Sequence, residues 1–154
     1  MHDLFSEALR KWPAAISGDR IVTKPYTIEP KTKDEKSLYL EKDSVIMIPI
    51  FAIHRDPQYF KNPEKFDPER FNEDNKNSIN PYAYLPFGVG PRSCIGNRFA
   101  LLETKAVFYH LLTNFEIVPT SKSVIPVKIN RKGFNLGCEG GFWFGFKKRQ
   151  NVSQ

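Results

Sequence analysis

Proline placement is the feature that most restricts what this chain can fold into. Five of its 12 prolines lie within residues 54–86, the segment called the meander below. Each proline fixes its own φ angle and removes a backbone donor, so regular elements there must be short. We predict an ordered, loop-rich meander with one short helix at residues 57–60.

The segments on either side of the meander have regular hydrophobic periods. Apolar residues at three- and four-residue spacing predict a helix over residues 3–12, which Pro13 ends. The longest helix pattern covers residues 97–114 and is apolar on most faces, which predicts a buried helix. A charged run at residues 30–36 predicts a solvated turn. Short strands are predicted at residues 21–28, 37–40, 45–48 (a buried strand), 124–129 and 142–146.

The composition excludes several classes of protein. Of the 154 residues, 40% are hydrophobic and 26% are charged, which excludes a mainly disordered chain. Two cysteines are too few for a disulfide scaffold or a cysteine-based zinc finger. The net charge of +6 permits an anionic membrane, an acidic protein or nucleic acid as a partner. Lysine and arginine are scattered and no nucleic-acid-binding motif occurs, so we predict no nucleic-acid partner.

A glycine-rich loop at residues 87–96, called the Cys loop below, carries the candidate chemistry. It presents Cys94 just before the N-terminus of the predicted long helix. Backbone N–H groups and the positive end of that helix favour the thiolate form of such a cysteine. Arg92 adds a positive charge that can bind a carboxylate. A thiolate in this setting is a nucleophile, a redox sensor or an axial metal ligand, and the loop by itself leaves all three open.

Three motifs along the chain resemble those of the cytochrome P450 family. Phe87, Gly90, Arg92, Cys94 and Gly96 match the family's haem-binding loop, F-x-x-G-x-R-x-C-x-G, at every fixed position. A chance match to these five positions is expected in on the order of 3 in 100,000 chains of this length and composition. Upstream, residues 7–10 match the family's E-x-x-R motif and residues 68–71 match its P-E-R-F motif. The resemblance covers the whole chain.

The resemblance implies a role for each matching residue of the Cys loop. Cys94 is implied to be the thiolate ligand of the iron of haem b, and Phe87 to limit the access of water to it. Arg92, together with Arg20, is implied to bind the haem propionates. Gly90 and Gly96 are implied to shape the loop around the cofactor.

The resemblance also implies an ion cluster formed by Glu7, Arg10 and Arg70, with a structural role. Burying two arginines near one glutamate is costly unless the remaining donors are hydrogen-bonded. We therefore expect main-chain carbonyl partners from the meander.

The implied fold class is α+β: the C-terminal portion of the mainly helical P450 fold, with short β-sheets, the meander, the Cys loop and the long helix after it. We expect residues 1–154 to be a C-terminal fragment of a single P450 domain. The implied activity is that of a haem-thiolate monooxygenase, which oxidises a lipophilic small molecule with O2. Its electrons come from NADPH through NADPH–cytochrome P450 reductase. The implied location is the cytosolic face of the endoplasmic reticulum membrane, held by an anchor expected outside this chain.

One alternative to an enzyme is a truncated, non-catalytic fragment that binds haem or another protein. Such a chain is expected to expose a large apolar patch where the rest of the fold would pack. Residues 99–103 and 139–143 resemble the insect detoxification branch of the family.

The resemblance and the local pattern assign further residues. Residues 14–17 and 134–136 are implied to line the distal, substrate-binding side of the haem. Trp12 is expected in the core, because of its helical spacing, and not against the cofactor. His54 is expected to be a hydrogen-bonded structural histidine, and Cys138 to be a bystander. Residues 151–153 form a glycosylation acceptor sequence, which matters only in a secreted chain.

Overall fold

The computed structural model describes residues 1–130 and 136–150 of the chain. Two of the predictions lie outside the described residues. One is the acceptor sequence at 151–153, and the other is the assignment of residues 134 and 135 to a pocket.

Each of the three motifs contains or adjoins a helix. The α-helices are α1 (His2–Lys11), α2 (Ile50–Ile53) and α3 (Asn97–Asn114), and 3₁₀ helices span Pro68–Phe71, Lys76–Ser78 and Gly90–Arg92. The helix predicted at residues 57–60 is wrong. The amides of Tyr59 and Phe60 both donate to the carbonyl of Asp56, at 3.1 and 2.9 Å, and form a single turn. Closely spaced prolines leave room for turns there and not for a helix.

The strands of the described residues form four separate antiparallel pairs. These are β1 (Gly18–Ile21) with β4 (Val45–Ile48), β2 (Tyr26–Ile28) with β3 (Leu38–Leu40), β5 (Phe115–Pro119) with β8 (Phe144–Lys148), and β6 (Ile129–Asn130) with β7 (Gly137–Cys138). Helices and short strands together confirm the α+β class.

Some predicted strands differ from the observed ones. The strand predicted at residues 21–28 is two strands, β1 and β2, because the chain bends between them at Thr23 and Lys24. Only Ile129 of the predicted strand at 124–129 is in a strand. The turn predicted at residues 30–36 is confirmed, since β2 and β3 flank it and its side chains are exposed.

The best-packed part of the molecule lies where α1 meets the meander. Phe60, Phe71, Ala83 and Leu85 are buried there, and the rings of Phe71 and Tyr84 pack with their centroids 4.7 Å apart. The largest fully buried side chains, however, are polar or charged: Arg10, His54 and Glu7. Hydrogen bonds and ion pairs must therefore be satisfied inside this core.

Three expectations about burial are wrong. None of the residues of α3 is buried, and Phe99 and Leu102 keep 70% and 68% of their surface exposed. The ring of Phe5 on α1 contacts that of Phe108, at 5.5 Å between centroids, but most of the helix has no covering layer among the described residues. β4 is also largely exposed rather than buried, and Trp12 is 41% exposed instead of lying in the core.

Candidate functional site

The Cys loop is closed at its base by one backbone hydrogen bond. The amide of Cys94 donates to the carbonyl of Phe87 at 2.8 Å. Between these residues the chain turns through Gly88 and Gly90, whose φ angles are +70° and +77°. Residues other than glycine rarely adopt this left-handed conformation. The turn leaves the side chain of Cys94 exposed three residues before the start of α3.

A cavity of about 480 Å³, called the Cys94 cavity below, lies on one side of this loop. Three segments that are distant in the sequence form its wall. They are the chain after α1 with β1, the end of β4 with the start of α2, and the Cys loop with the two residues before it. The lining residues are Ala14, Ala15, Ser17, Gly18, Arg20, Ile48, Ile50, Leu85, Pro86, Phe87, Gly88, Val89, Arg92 and Cys94.

Two arginines give the Cys94 cavity a positive wall. Arg20 and Arg92 both line it, and no acidic side chain is among the described residues that do so. Arg20 Nη1 donates to the carbonyl of Asp19 at 2.7 Å, which leaves its other donors available. Arg92 is exposed, and no described residue forms an ion pair with it. Guanidinium groups in this state bind carboxylates well.

The donor set of the Cys94 cavity fits haem. The wall between Cys94 and the two arginines consists mainly of aliphatic and small residues, as a flat apolar macrocycle requires. One accessible thiol is available for the iron, and two cations are available for two carboxylates. Gly96 caps α3 with φ −91°, and a β-carbon there would meet no atom within 4 Å. Neither Gly96 nor Gly90 is among the residues that line the cavity.

A second cavity of about 370 Å³, called the Trp12 cavity below, lies beyond the end of α1. Trp12, Pro13, Ala14, Val127, Ile129, Leu136, Gly137 and Phe142 line it. Ala14 lines both cavities. Of the residues assigned to the distal side by resemblance, Ala14, Ala15 and Ser17 lie on the wall of the Cys94 cavity, and Leu136 lies on that of the Trp12 cavity.

The residues of the ion cluster lie together at the interface of α1 and the meander. Arg10 Nε and Nη2 donate to the two carboxylate oxygens of Glu7 at 2.7 and 2.8 Å, and neither residue is exposed to solvent. Arg70 Nε lies 3.6 Å from Glu7 Oε1. The Glu7 carboxylate also accepts the amide of Asp67 at 2.8 Å.

Main-chain carbonyls of the meander complete the ion cluster. Arg10 donates to the carbonyls of His54 and Pro63, both at 2.8 Å, and Arg70 donates to that of Asn62 at 2.8 Å. Asn62 has a left-handed backbone, with φ +50°, which asparagine tolerates better than most residues. The meander thus supplies polar partners that offset much of the cost of burying these charges, while Arg70 Nε has no hydrogen-bond partner among the described residues.

Sequence reasoning missed several residues of the Cys94 cavity. Ile48, Ile50 and Leu85 lie on its wall but belong to no motif, and they reach it through the long-range path of the chain. The burial of the His54 ring was also not predicted. Its position in a turn before Pro57 indicated a structural role, but no local signal shows which groups it contacts.

The comparisons with known proteins agree with the three motifs. A family model described as "Cytochrome P450" matches residues 1–141. The chain is 53% identical over 146 residues to cytochrome P450 9e2 of Blattella germanica, which is 95% of this chain and 27% of that protein. It is 48% identical over 149 residues to probable cytochrome P450 9f2 of Drosophila melanogaster, covering 97% and 28% of the two chains. The chain belongs to the cytochrome P450 family.

A mammalian cytochrome P450 matches the chain as well. Cytochrome P450 3A18 of Rattus norvegicus is 46% identical over 127 residues, which is 82% of this chain and 24% of that protein. The chain thus spans about a quarter of the length of the curated relatives it matches. Cytochromes P450 are haem-containing monooxygenases.

Two features are absent from residues 1–130 and 136–150, the part of the chain that the structure describes. In this part of the chain no helix is long and apolar enough to cross a lipid bilayer. The same residues contain no group of three or more His, Cys, Asp and Glu side chains that could hold a metal ion.

Proposed function

We propose that this chain supplies the haem-binding part of a haem-thiolate monooxygenase, with Cys94 as the ligand of the iron of haem b. The observation that carries the proposal is that the Cys94 side chain shares one cavity with Arg20 and Arg92. Nucleophilic and redox roles for this thiol are less well supported. Among the described residues that line the cavity there is no histidine or carboxylate to act as a base and no second cysteine.

In this proposal each residue that matches the family's haem-binding loop, together with Arg20, has a task. Cys94, as a thiolate, coordinates the iron, and haem held in this way supplies the activation of O2. Phe87 is half-buried beside it, holds the Cys94 amide through its carbonyl and restricts water on that side. Arg20 and Arg92 bind the two propionates. Gly90 gives the loop its left-handed turn, and Gly96 leaves space for the cofactor at the start of α3.

The substrate in this proposal is a lipophilic small molecule. The Trp12 cavity supports this choice because Val127, Ile129, Leu136 and Phe142 give it an apolar wall. The electron donor is NADPH–cytochrome P450 reductase, and the location is the endoplasmic reticulum membrane. Both follow the usual arrangement of animal members of the family, to which the relatives from cockroach, fly and rat belong.

The test is the absorption spectrum of the full translated protein, meaning the whole product of the gene that encodes this chain. The protein is reduced and exposed to carbon monoxide. Thiolate ligation gives a Soret band that is strongly shifted to the red. We expect the wild type to show this band and Cys94→Ser to lose it. Cys138→Ser is the matched control, because Cys138 is the other free cysteine and is buried away from the cavity; it should keep the band.

Two outcomes would overturn the proposal: absence of the band in the wild type, or its persistence in Cys94→Ser. Turnover with reductase and NADPH then separates an enzyme from a non-catalytic haem-binding fragment. A fragment would show the band but no NADPH-dependent oxidation of a lipophilic test substrate.

A further inference from the structure

The ring of His54 is a buried link between α1 and the Cys loop. The residue is 0% exposed. Its Nδ1 lies 3.0 Å from the carbonyl oxygen of Arg10, and the amide of Leu85 donates to its Nε2 at 2.8 Å. A carbonyl can only accept and an amide N–H can only donate, so Nδ1 carries the proton and Nε2 is the acceptor. The ring is therefore neutral and in a single tautomer.

The position of the ring is fixed from several directions. Arg10 Nη1 donates to the carbonyl of His54 at 2.8 Å, so the two residues are joined by two hydrogen bonds of opposite direction. The ring stacks on Tyr84, at 5.6 Å between centroids, and meets the edge of Phe60 at 6.2 Å. A ring held in this way cannot rotate without breaking buried contacts, so Nε2 is a fixed acceptor.

The amide that donates to Nε2 belongs to Leu85, which lies two residues before the Cys loop. Leu85 is buried, lines the Cys94 cavity, and its carbonyl accepts the amide of Gly88 at 3.2 Å. Two residues later, the carbonyl of Phe87 accepts the amide of Cys94 at 2.8 Å. A series of hydrogen bonds and short chain segments thus connects the His54 ring, through residues 85–88, to the backbone amide of Cys94.

We propose that His54 is a positioning residue for Cys94. By holding the Leu85 amide against α1, it fixes where the Cys loop begins and hence where the thiolate points. This role rests on the proposed function, because it is defined toward an iron ligand. A histidine that only filled the core would need its ring volume but not its Nε2 acceptor.

Three substitutions separate the hydrogen bonds from the volume. His54→Phe keeps a ring of similar size and removes both hydrogen bonds. His54→Asn places an amide group near the Nδ1 position, where it can still donate to Arg10 but cannot reach Leu85. His54→Gln places an oxygen as far along the side chain as Nε2, where it can accept the Leu85 amide.

Tyr84→Phe is the matched control. The Tyr84 hydroxyl donates to the carbonyl of Ser6 at 3.0 Å, so it also joins α1 to the segment before the Cys loop. Its removal leaves the Leu85 amide and the stacked ring in place. A general loss of stability would therefore affect this variant as much as His54→Asn.

The experiment uses the full translated protein with haem bound and has two readouts. The first is hydrogen exchange at the Leu85 amide. The second is the rate at which the red-shifted carbon monoxide band of the reduced protein decays. We expect both rates to rise about fivefold or more in His54→Phe and His54→Asn, the effect of losing one ordinary hydrogen bond. His54→Gln and Tyr84→Phe should stay near the wild type.

The outcomes distinguish this inference from the proposed function. If the wild type has the band and His54→Asn keeps both rates, the positioning role is wrong and the proposed function stands. The positioning role is also wrong if both rates in His54→Gln rise as much as in His54→Asn, or if Tyr84→Phe raises them as much as His54→Asn does. A wild type without the band overturns both proposals. If His54→Phe does not fold, the difference between the rates of His54→Asn and His54→Gln still tests the positioning role.

Discussion

Replacing Arg10 with methionine tests how much the ion cluster stabilises the fold. The change keeps a long, flexible side chain in the core and removes the charge and all the donors. It abolishes four hydrogen bonds of 2.7–2.8 Å: two to Glu7 and one each to the carbonyls of His54 and Pro63.

The expected cost follows from what is left behind. Removing one partner of a buried ion pair costs about 3–5 kcal/mol, because the other charge remains buried. The buried carbonyl of His54, left without the Arg10 donor, adds about 1 kcal/mol or more. Arg70, whose Nε lies 3.6 Å from Glu7 Oε1, offsets part of this. We therefore expect Arg10→Met to lower the free energy of unfolding by about 5 kcal/mol, a large share of the roughly 5–15 kcal/mol typical of domains.

A milder substitution tests the geometry rather than the charge. Arg10→Lys keeps the positive charge but carries its donors on one nitrogen. It cannot bond both carboxylate oxygens of Glu7 and two separate carbonyls at once. We expect a loss of about 3 kcal/mol, intermediate between the wild type and Arg10→Met.

The assay is equilibrium urea unfolding of the full translated protein, with Lys76→Met as the matched control. Lys76 pairs with Glu73 at 2.5 Å, but both side chains are exposed, so its removal should cost less than about 1 kcal/mol. If Arg10→Met costs no more than Lys76→Met, the ion cluster does not stabilise the fold. If Arg10→Lys matches the wild type, charge alone is sufficient and the argument from geometry is wrong.

Two further predictions concern the Cys loop and pH. Gly90→Ala should destabilise the protein by about 1–2 kcal/mol in thermal or urea unfolding, through its φ of +77° alone, since a β-carbon there meets no atom within 4 Å. Gly90→Asn should recover part of the loss, and an alanine variant as stable as the wild type would contradict the reasoning. Burial lowers the pKa of His54 from 6.5 to about 4; the hydrogen bond to the Arg10 carbonyl opposes this shift, and the charges of Arg10 and Arg55 add to it. The unfolded state therefore takes up a proton below pH 6.5 while the folded state resists until about pH 4. The stability present above pH 6.5 should fall by roughly 2–3 kcal/mol across this interval. His54→Gln should lack this part of the pH dependence in urea unfolding at pH 7 and pH 4.5, and identical profiles for the two proteins would refute the assignment.

Local patterns in the sequence were enough to predict the long elements. The predicted bounds of α3, residues 97–114, are those observed, because the period is long and Gly96 marks its start. Its burial could not be predicted in the same way. An apolar pattern on most faces indicates what a helix needs to pack against, whereas exposure depends on which other segments are present.

The candidate site was predictable only in part, for a related reason. Cys94 and Arg92 are two residues apart in one motif, so the sequence alone indicates that they belong to one site. Ile48, Ile50 and Leu85 reach the same cavity through strand pairing and the path of the meander. The partners of the His54 ring likewise come from positions 44 residues before it and 31 residues after it. Nothing in local propensity encodes such pairings.

The distances that the ion cluster spans along the chain affect the order in which the molecule assembles. The amide of Asp67 reaches Glu7 across 60 positions, and the hydroxyl of Tyr84 reaches Ser6 across 78. Closing a loop of this length lowers the chain entropy before the contacts that stabilise the closed loop can form. During synthesis α1 leaves the ribosome before the meander does, so its acidic and basic side chains remain hydrated until the meander has emerged. The Cys94 cavity can therefore close only after residues 85–94 have been synthesised.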